Sequence, residues 1–217
     1  MRVSKLYNDI LMCVCCALVT VIFTKQCHAE YYYAGIANTA KVAYSTKMSS
    51  TMYQSPECER GACHAIAWSV LWDEGNTGQY VEAGMGYSPR FGCKGSKPVG
   101  LFWATPAFPY GERVACVPLG YKITTTITKI NGSNTVNIVW LMPKVKVITT
   151  INVGDWYYGA GIHPTKVEVY SKTDVPIKPV YFVIEPGALS SEDVGVYLQS
   201  SPPYLAVGDI RTYEVRY

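Results

Sequence analysis

Two glutamates stand in strand-like surroundings that could set them to work together. In Gln79-Tyr80-Val81-Glu82-Ala83-Gly84-Met85-Gly86-Tyr87, alternation gives Val81, Ala83 and Met85 one face, and Tyr80 and Glu82 the other. In 165–171 (TKVEVYS), Val167 and Val169 share one face, while Lys166, Glu168 and Tyr170 share the opposite one. Each carboxylate therefore faces away from a core, with a tyrosine two residues off. Two carboxylates held within a few ångströms share one proton, which raises one apparent pKa of the pair and suits general acid–base chemistry in acid. The bland counterpart is a pair of solvated charges on an outer sheet face, which alternation alone favours. At a separation of about 5–5.5 Å the pair would also suit a retaining glycosidase. No glycosidase signature surrounds either residue.

Other catalytic vocabulary is thin. Outside the first 29 residues the histidines are His64 and His163, with no H-x-x-x-H pair. A zinc-hydrolase site needs about three protein ligands, so no metal is expected. There is no G-x-S-x-G elbow and no phosphate-cradling glycine loop ahead of a helix, so no cofactor is expected either.

Residues 1–29 read as a secretory signal peptide. Arg2 and Lys5 form a basic start, Ile10 to Thr24 is an uncharged apolar run, and Cys27-His28-Ala29 sets small residues at the cleavage position. The run is shorter than the ~20 residues a membrane-spanning helix requires. No stable span is expected after cleavage, and the protein is expected to be secreted or at the cell surface. Residues 30–217 are expected to form one domain.

Removing the leader takes three of the 19 basic and one of the 16 acidic residues, leaving 16 against 15 and a net charge of +1. With no lysine or arginine run, nucleic acid is not an expected partner. Four cysteines remain, Cys58, Cys63, Cys93 and Cys116. An even number in an exported chain favours two disulfides. Four cysteines allow three pairings. Cys58–Cys63 with Cys93–Cys116 is preferred because each closes a loop rich in glycine or proline.

The elements that must position the glutamates are strands. In 121–130 (YKITTTITKI), Tyr121, Ile123 and Ile127 alternate with Lys122, Thr124, Thr126 and Thr128. Asn131-Gly132-Ser133-Asn134 is a turn by composition and an N-glycosylation sequon. Then 136–142 (VNIVWLM) and 145–151 (VKVITTI) continue an antiparallel meander, split at Pro143. Further strands are expected at 31–35, 40–45, 64–73, 79–87, 100–104, 112–117, 165–171, 178–184, 194–199 and 210–217. The irregular stretch 46–63 reads as a surface excursion. About a dozen short strands with glycine or proline between them make an all-β, two-sheet antiparallel β-sandwich of jelly-roll or concanavalin-A-like type.

The order of motifs resembles the glutamic peptidases (eqolisins). Tyr33-Ala34-Gly35 resembles that family's N-W-A-G opening, with a strand at 42–46 (VAYST) after it. Ala67-Trp68-Ser69-Val70 resembles A-W-V-G, and Val81-Glu82-Ala83-Gly84 falls where the family reads L-Q-T-G. Phe102-Trp103 with Pro106 resembles W-Y-E-W-Y-P, and 117–123 (VPLGYKI) resembles a P-G-D-x-I strand start. Lys166-Val167-Glu168-Val169 falls where the family has A-E-W-I. The resemblance implies a concanavalin-like double sheet and a secreted acid endopeptidase acting on polypeptide. It implies Glu168 as the general base that activates water. The oxyanion-stabilising glutamine is replaced by Glu82, which can donate a hydrogen bond only when protonated. Trp68, Tyr80, Trp103 and Tyr170 are the expected groove residues. The competing expectation is a non-catalytic, lectin-like or surface-structural sandwich. Of its 18 tyrosines and five tryptophans, Tyr31-Tyr32-Tyr33, Trp156-Tyr157-Tyr158 and Tyr204 would contact carbohydrate or a protein surface.

Overall fold

In the computed structural model, residues 31–37, 45–55, 63–72, 79–130, 132–154, 165–171, 181–186, 197–200, 205–208 and 212–216 are described. The expected signal peptide, Cys58, Asn131 and His163 lie outside these residues, as do residues 40–44 of the strand expected at 40–45. The described strands are β1 (Tyr31–Ala37), β2 (Ser45–Gln54), β3 (Cys63–Trp72), β4 (Tyr80–Tyr87), β5 (Val99–Thr105), β6 (Phe108–Val117) and β7 (Lys122–Lys129). They continue as β8 (Thr135–Met142), β9 (Val145–Asn152), β10 (Thr165–Ser171), β11 (Tyr181–Pro186), β12 (Tyr197–Ser200), β13 (Leu205–Gly208) and β14 (Tyr213–Arg216).

Sheet A runs β12-β1-β10-β3-β4-β5-β6 and sheet B runs β13-β14-β11-β2-β7-β8-β9. Neighbouring strands pair antiparallel throughout both sheets. Period-two alternation builds the core between them. Strand β8 buries Val136, Ile138, Trp140 and Met142 on one side, and β4 buries Val81, Ala83 and Met85 from the facing sheet. These residues belong to one apolar cluster with Met48, Leu101 and Phe182. The two sheets are also tied by a hydrogen bond, since Trp140 Nε1 of β8 donates to the Gly84 carbonyl of β4 at 3.0 Å. The all-β, two-sheet reading of the sequence therefore holds.

The surface excursion expected at 46–63 does not hold for its first half. Residues 45–54 form β2, an inner strand of sheet B paired with β7 and β11. Thr46, Met48, Ser50 and Met52 alternate inward and are buried. Serine looks loop-like by composition, yet at alternate positions serine and threonine fill inward sites here, the Ser50 hydroxyl at the cost of having no hydrogen-bond partner among the described residues. Their outward neighbours suit the same strand: Ser45 and Ser49 exchange hydroxyl hydrogen bonds with Thr128 and Thr124 of β7 at 3.0 and 2.8 Å.

Candidate functional site

Strand pairing places Glu82. Across β3 and β4, Val70 pairs with Glu82, Trp68 with Gly84 and Ile66 with Gly86. On the other side of β4, Ala104 and Phe102 of β5 pair with Glu82 and Gly84. Directly paired residues share a face of the sheet. Ile66, Trp68, Val70, Tyr80, Glu82 and Phe102 therefore belong to the outer face of sheet A, opposite the core. The glycines of β4 permit a close approach on this face. A Cβ on Gly84 would lie 1.9 Å from the Ala67 carbonyl oxygen, and one on Gly86 would lie 2.3 Å from that of Ala65. Large residues on β3 thus stand opposite positions that offer no side chain.

A flap covers part of this face. After β4, Pro89–Phe91 makes one turn of 3-10 helix. Ser88 caps it by accepting from the Arg90 N–H at 3.2 Å, and Gly92 ends it in the left-handed region at φ 63°. The Phe91 ring lies so close over Gly100 that a Cβ there would come within 2.6 Å of it. Phe91 also stacks on Phe102 with centroids 5.2 Å apart. Trp68, Val70, Phe91, Cys93 and Phe102 form a second apolar cluster, with Ile66 and Tyr80 packed at its margin. Three further ties hold the flap: the Cys93–Cys116 disulfide to β6, the Arg113 guanidinium donating to the Phe91 carbonyl, and Arg90 over the Tyr110 ring at 4.1 Å. The disulfide expected between Cys93 and Cys116 is present. Its sequence separation of 23 residues makes its removal costly. Changing both cysteines to serine should lower stability by about 3 kcal/mol in urea denaturation, by the chain-entropy relation.

Glu82 is half-buried at the edge of the flap's cluster. The Tyr80 phenol beside it is raised above its usual 10.0, first by burial and second by the negative charge of Glu82. The Glu82→Gln variant should move the Tyr80 titration downward, read by NMR of labelled tyrosine rings across pH 9–12. The sign for stability follows from linkage. The unfolded chain releases the Tyr80 proton at lower pH than the folded one, so Tyr80 contributes a loss of stability that begins as pH rises past 10.0.

The remaining expected site residues fall into three places. Glu168 of β10 pairs with Ile66, and Ile66 pairs with Gly86. Positions 82 and 168 therefore share the outer face, two strands apart and four residues out of level. With strand spacing of about 4.8 Å and a rise of about 3.3 Å, their Cα atoms stand roughly 16 Å apart. Position 166 pairs with Trp68 and is only two residues out of level with Glu82. Tyr170 pairs with His64, farther along than Glu168. Trp103 pairs with Ala83 and so lies on the opposite face from Trp68 and Tyr80. It packs against the main core and edge-on to Phe108. The structure thus brings together Trp68, Tyr80 and Glu82 from the expected set. It adds Val70, Phe91 and Phe102, which the sequence analysis did not place in the groove. A readable signal existed in Ser88-Pro89-Arg90-Phe91-Gly92, a cap residue, a first-turn proline and a terminating glycine. Among the described residues, no group of three or more His, Cys, Asp or Glu side chains could hold a metal ion. No described helix is long and apolar enough to cross a membrane.

No family model matches the chain, and no curated protein matches it in sequence. Solved structures do match it. A crystal structure of scytalido-glutamic peptidase with a peptide-based transition-state analogue aligns at a TM-score of 0.53 and 9% identity, over 88% of this chain and 98% of that one. The structure of SCP-B, a member of the eqolisin family of peptidases in complex with the tripeptide Ala-Ile-His, aligns at 0.51 and 10% identity over the same shares. The fold is a glutamic-peptidase-like β-sandwich.

Proposed function

We propose that the outer face of sheet A binds extended polypeptide without cleaving it, in a protein that works outside the cytoplasm. The observation that carries this reading is the four-residue offset between Glu82 and Glu168. Glutamate side chains reach about 5 Å from Cα, so a Cα separation of roughly 16 Å supports binding over a proton shared at one scissile bond. Polypeptide is the favoured ligand because both structural neighbours hold peptides or peptide analogues and this chain has their fold. On this reading Glu82 supplies a charge beside Tyr80 on that face, and it meets a backbone N–H or a basic side chain of the ligand. The Cys93–Cys116 disulfide supports an oxidising compartment.

A second reading is favoured by the position of Glu82 itself. It stands two residues before Gly84 on the strand that follows Ala67-Trp68, as the catalytic glutamine does in the resembling family. On that reading Glu168 activates water and protonated Glu82 stabilises the oxyanion, which confines cleavage to acid. One experiment separates the two. The purified protein is incubated with casein from pH 2 to pH 6 and followed by mass spectrometry, while peptide binding is measured by calorimetry. Saturable binding with no new termini is expected. Cleavage in acid that disappears in Glu168→Gln would establish the peptidase and end the binding-only reading.

A further inference from the structure

The two sheets end very differently on the side where β6 and β9 lie. Strand β6, the edge of sheet A, carries Pro109, Gly111 at φ 78° and the charges of Glu112 and Arg113, and its register with β5 shifts twice. These are the devices by which a sheet edge avoids pairing with another chain. Strand β9, the edge of sheet B, has only one of them, the charge of Lys146. Its eight residues (VKVITTIN) contain no proline or glycine, and they pair with β8 in unbroken register from Val145–Met142 to Asn152–Thr135. Among the described residues β9 pairs with no other strand. Apolar side chains crowd this edge: Ile148 is 57% exposed, Leu141 of β8 is 52% exposed and Val145 is 51% exposed.

We infer that β9 is a homodimer interface, in which two copies join edge to edge about a two-fold axis through Ile148 and sheet B becomes continuous across both. The Met142–Val145 pair closes the two-residue turn Pro143-Lys144. By the alternation of an antiparallel ladder, Val145, Val147, Thr149 and Ile151 bond back to β8. Lys146, Ile148, Thr150 and Asn152 then present their N–H and C=O groups outward. A two-fold axis must pair outward residues with outward residues. Centring it on Lys146 sets two lysines against each other. Centring it on Ile148 sets Ile148 on its own copy, Lys146 on Thr150 and Lys144 on Asn152, so no like charges meet.

The side-chain rows support the same register. Val139 of β8 pairs with Ile148, and Leu141 pairs with Lys146. Across the axis these become an apolar row, Val139–Ile148–Ile148–Val139, flanked by rows in which each Lys146 stem lies between Leu141 and a threonine. A second copy is favoured because, of the registers that pair outward residues, centring on Ile148 sets the exposed Ile148 of each copy on its counterpart, with Val139 behind it, and opposes no like charges. The interface lies on sheet B, so it leaves the outer face of sheet A free.

Sedimentation of the whole protein over a range of concentrations tests the association. A mass twice that of the 24.0 kDa chain less its leader is expected, falling to the monomer in Ile148→Asp with an unchanged circular dichroism spectrum. Cysteine scanning tests the register. An antiparallel hydrogen-bonded pair sets Cα atoms about 5.5 Å apart, within disulfide reach. Under mild oxidation Ile148→Cys should link two chains, and Thr150→Cys, about 13 Å from its own copy along the strands, should not. A monomer at every concentration, or a dimer that links through Thr150→Cys and not through Ile148→Cys, overturns the proposal.

Discussion

Trp140→Ala is expected to cost about 3–5 kcal/mol, the range for deleting a large aromatic from a packed core. The residue is 0% exposed and projects from β8 of sheet B into the cluster shared with β4 of sheet A. Two separable terms contribute. The first is volume: the neighbours on both sheets are held by their own ladders, so they cannot close on the cavity. The second is the Nε1 hydrogen bond to the Gly84 carbonyl, the polar tie between the sheets at this point. Trp140→Phe isolates the second term, keeping a ring but losing the donor, and should lose about 1 kcal/mol for the hydrogen bond plus a smaller packing cost. Urea denaturation monitored by circular dichroism measures both. If Trp140→Ala proves no worse than Trp140→Phe, the sheets relax into the space and the core is softer than its packing indicates.

The parts of this fold that sequence reveals are those in which the pattern is local. The meander of β7, β8 and β9 was legible because Ile123, Ile127, Val136, Ile138 and Trp140 keep a strict period of two around short turns. The outward side of Glu82 was legible for the same reason, since Val81, Ala83 and Met85 mark the core face of β4. Strand β2 was not legible, because its inward residues include Thr46 and Ser50, whose types are shared with loops. Trp103 illustrates a second limit. It adjoins Phe102, and adjacent strand residues face opposite sides, so only one of the two can belong to the outer face. Pairing shows that it is Phe102. The relative level of Glu82 and Glu168 was beyond sequence altogether. It depends on how β10 slides along β3, and those strands are separated by nearly a hundred residues whose local pattern carries no register information. Faces are written in the alternation of one strand, whereas levels are written only in the pairing of two.

Gly84→Ala should be the most damaging single-methyl change in the site, with an expected loss of about 3 kcal/mol or more, at the upper end of overpacking costs. The added carbon would sit 1.9 Å from the Ala67 carbonyl oxygen, 2.7 Å from the Trp68 Cα and 2.8 Å from the Ala67 carbonyl carbon. All three are backbone atoms of β3, so no rotamer change relieves the contact. Strands β3 and β4 must part, and that separation works against the ladder on both sides, because β4 is also paired to β5. The damage reaches three features at once. The Gly84 carbonyl is the acceptor for Trp140, Trp68 lies opposite Gly84 on the outer face, and Glu82 stands two residues before it on the same strand. Gly95→Ala provides the control. Its Cβ would meet nothing within 4 Å, and only its φ of 62° resists a side chain, so it should lose about 1 kcal/mol. A Gly84→Ala protein as stable as the Gly95→Ala control would mean that β4 does not lie this tightly on β3. If the expected gap between them is found, the glycine after Glu82 is there for the strand's close seat, and any chemistry at Glu82 depends on that seat.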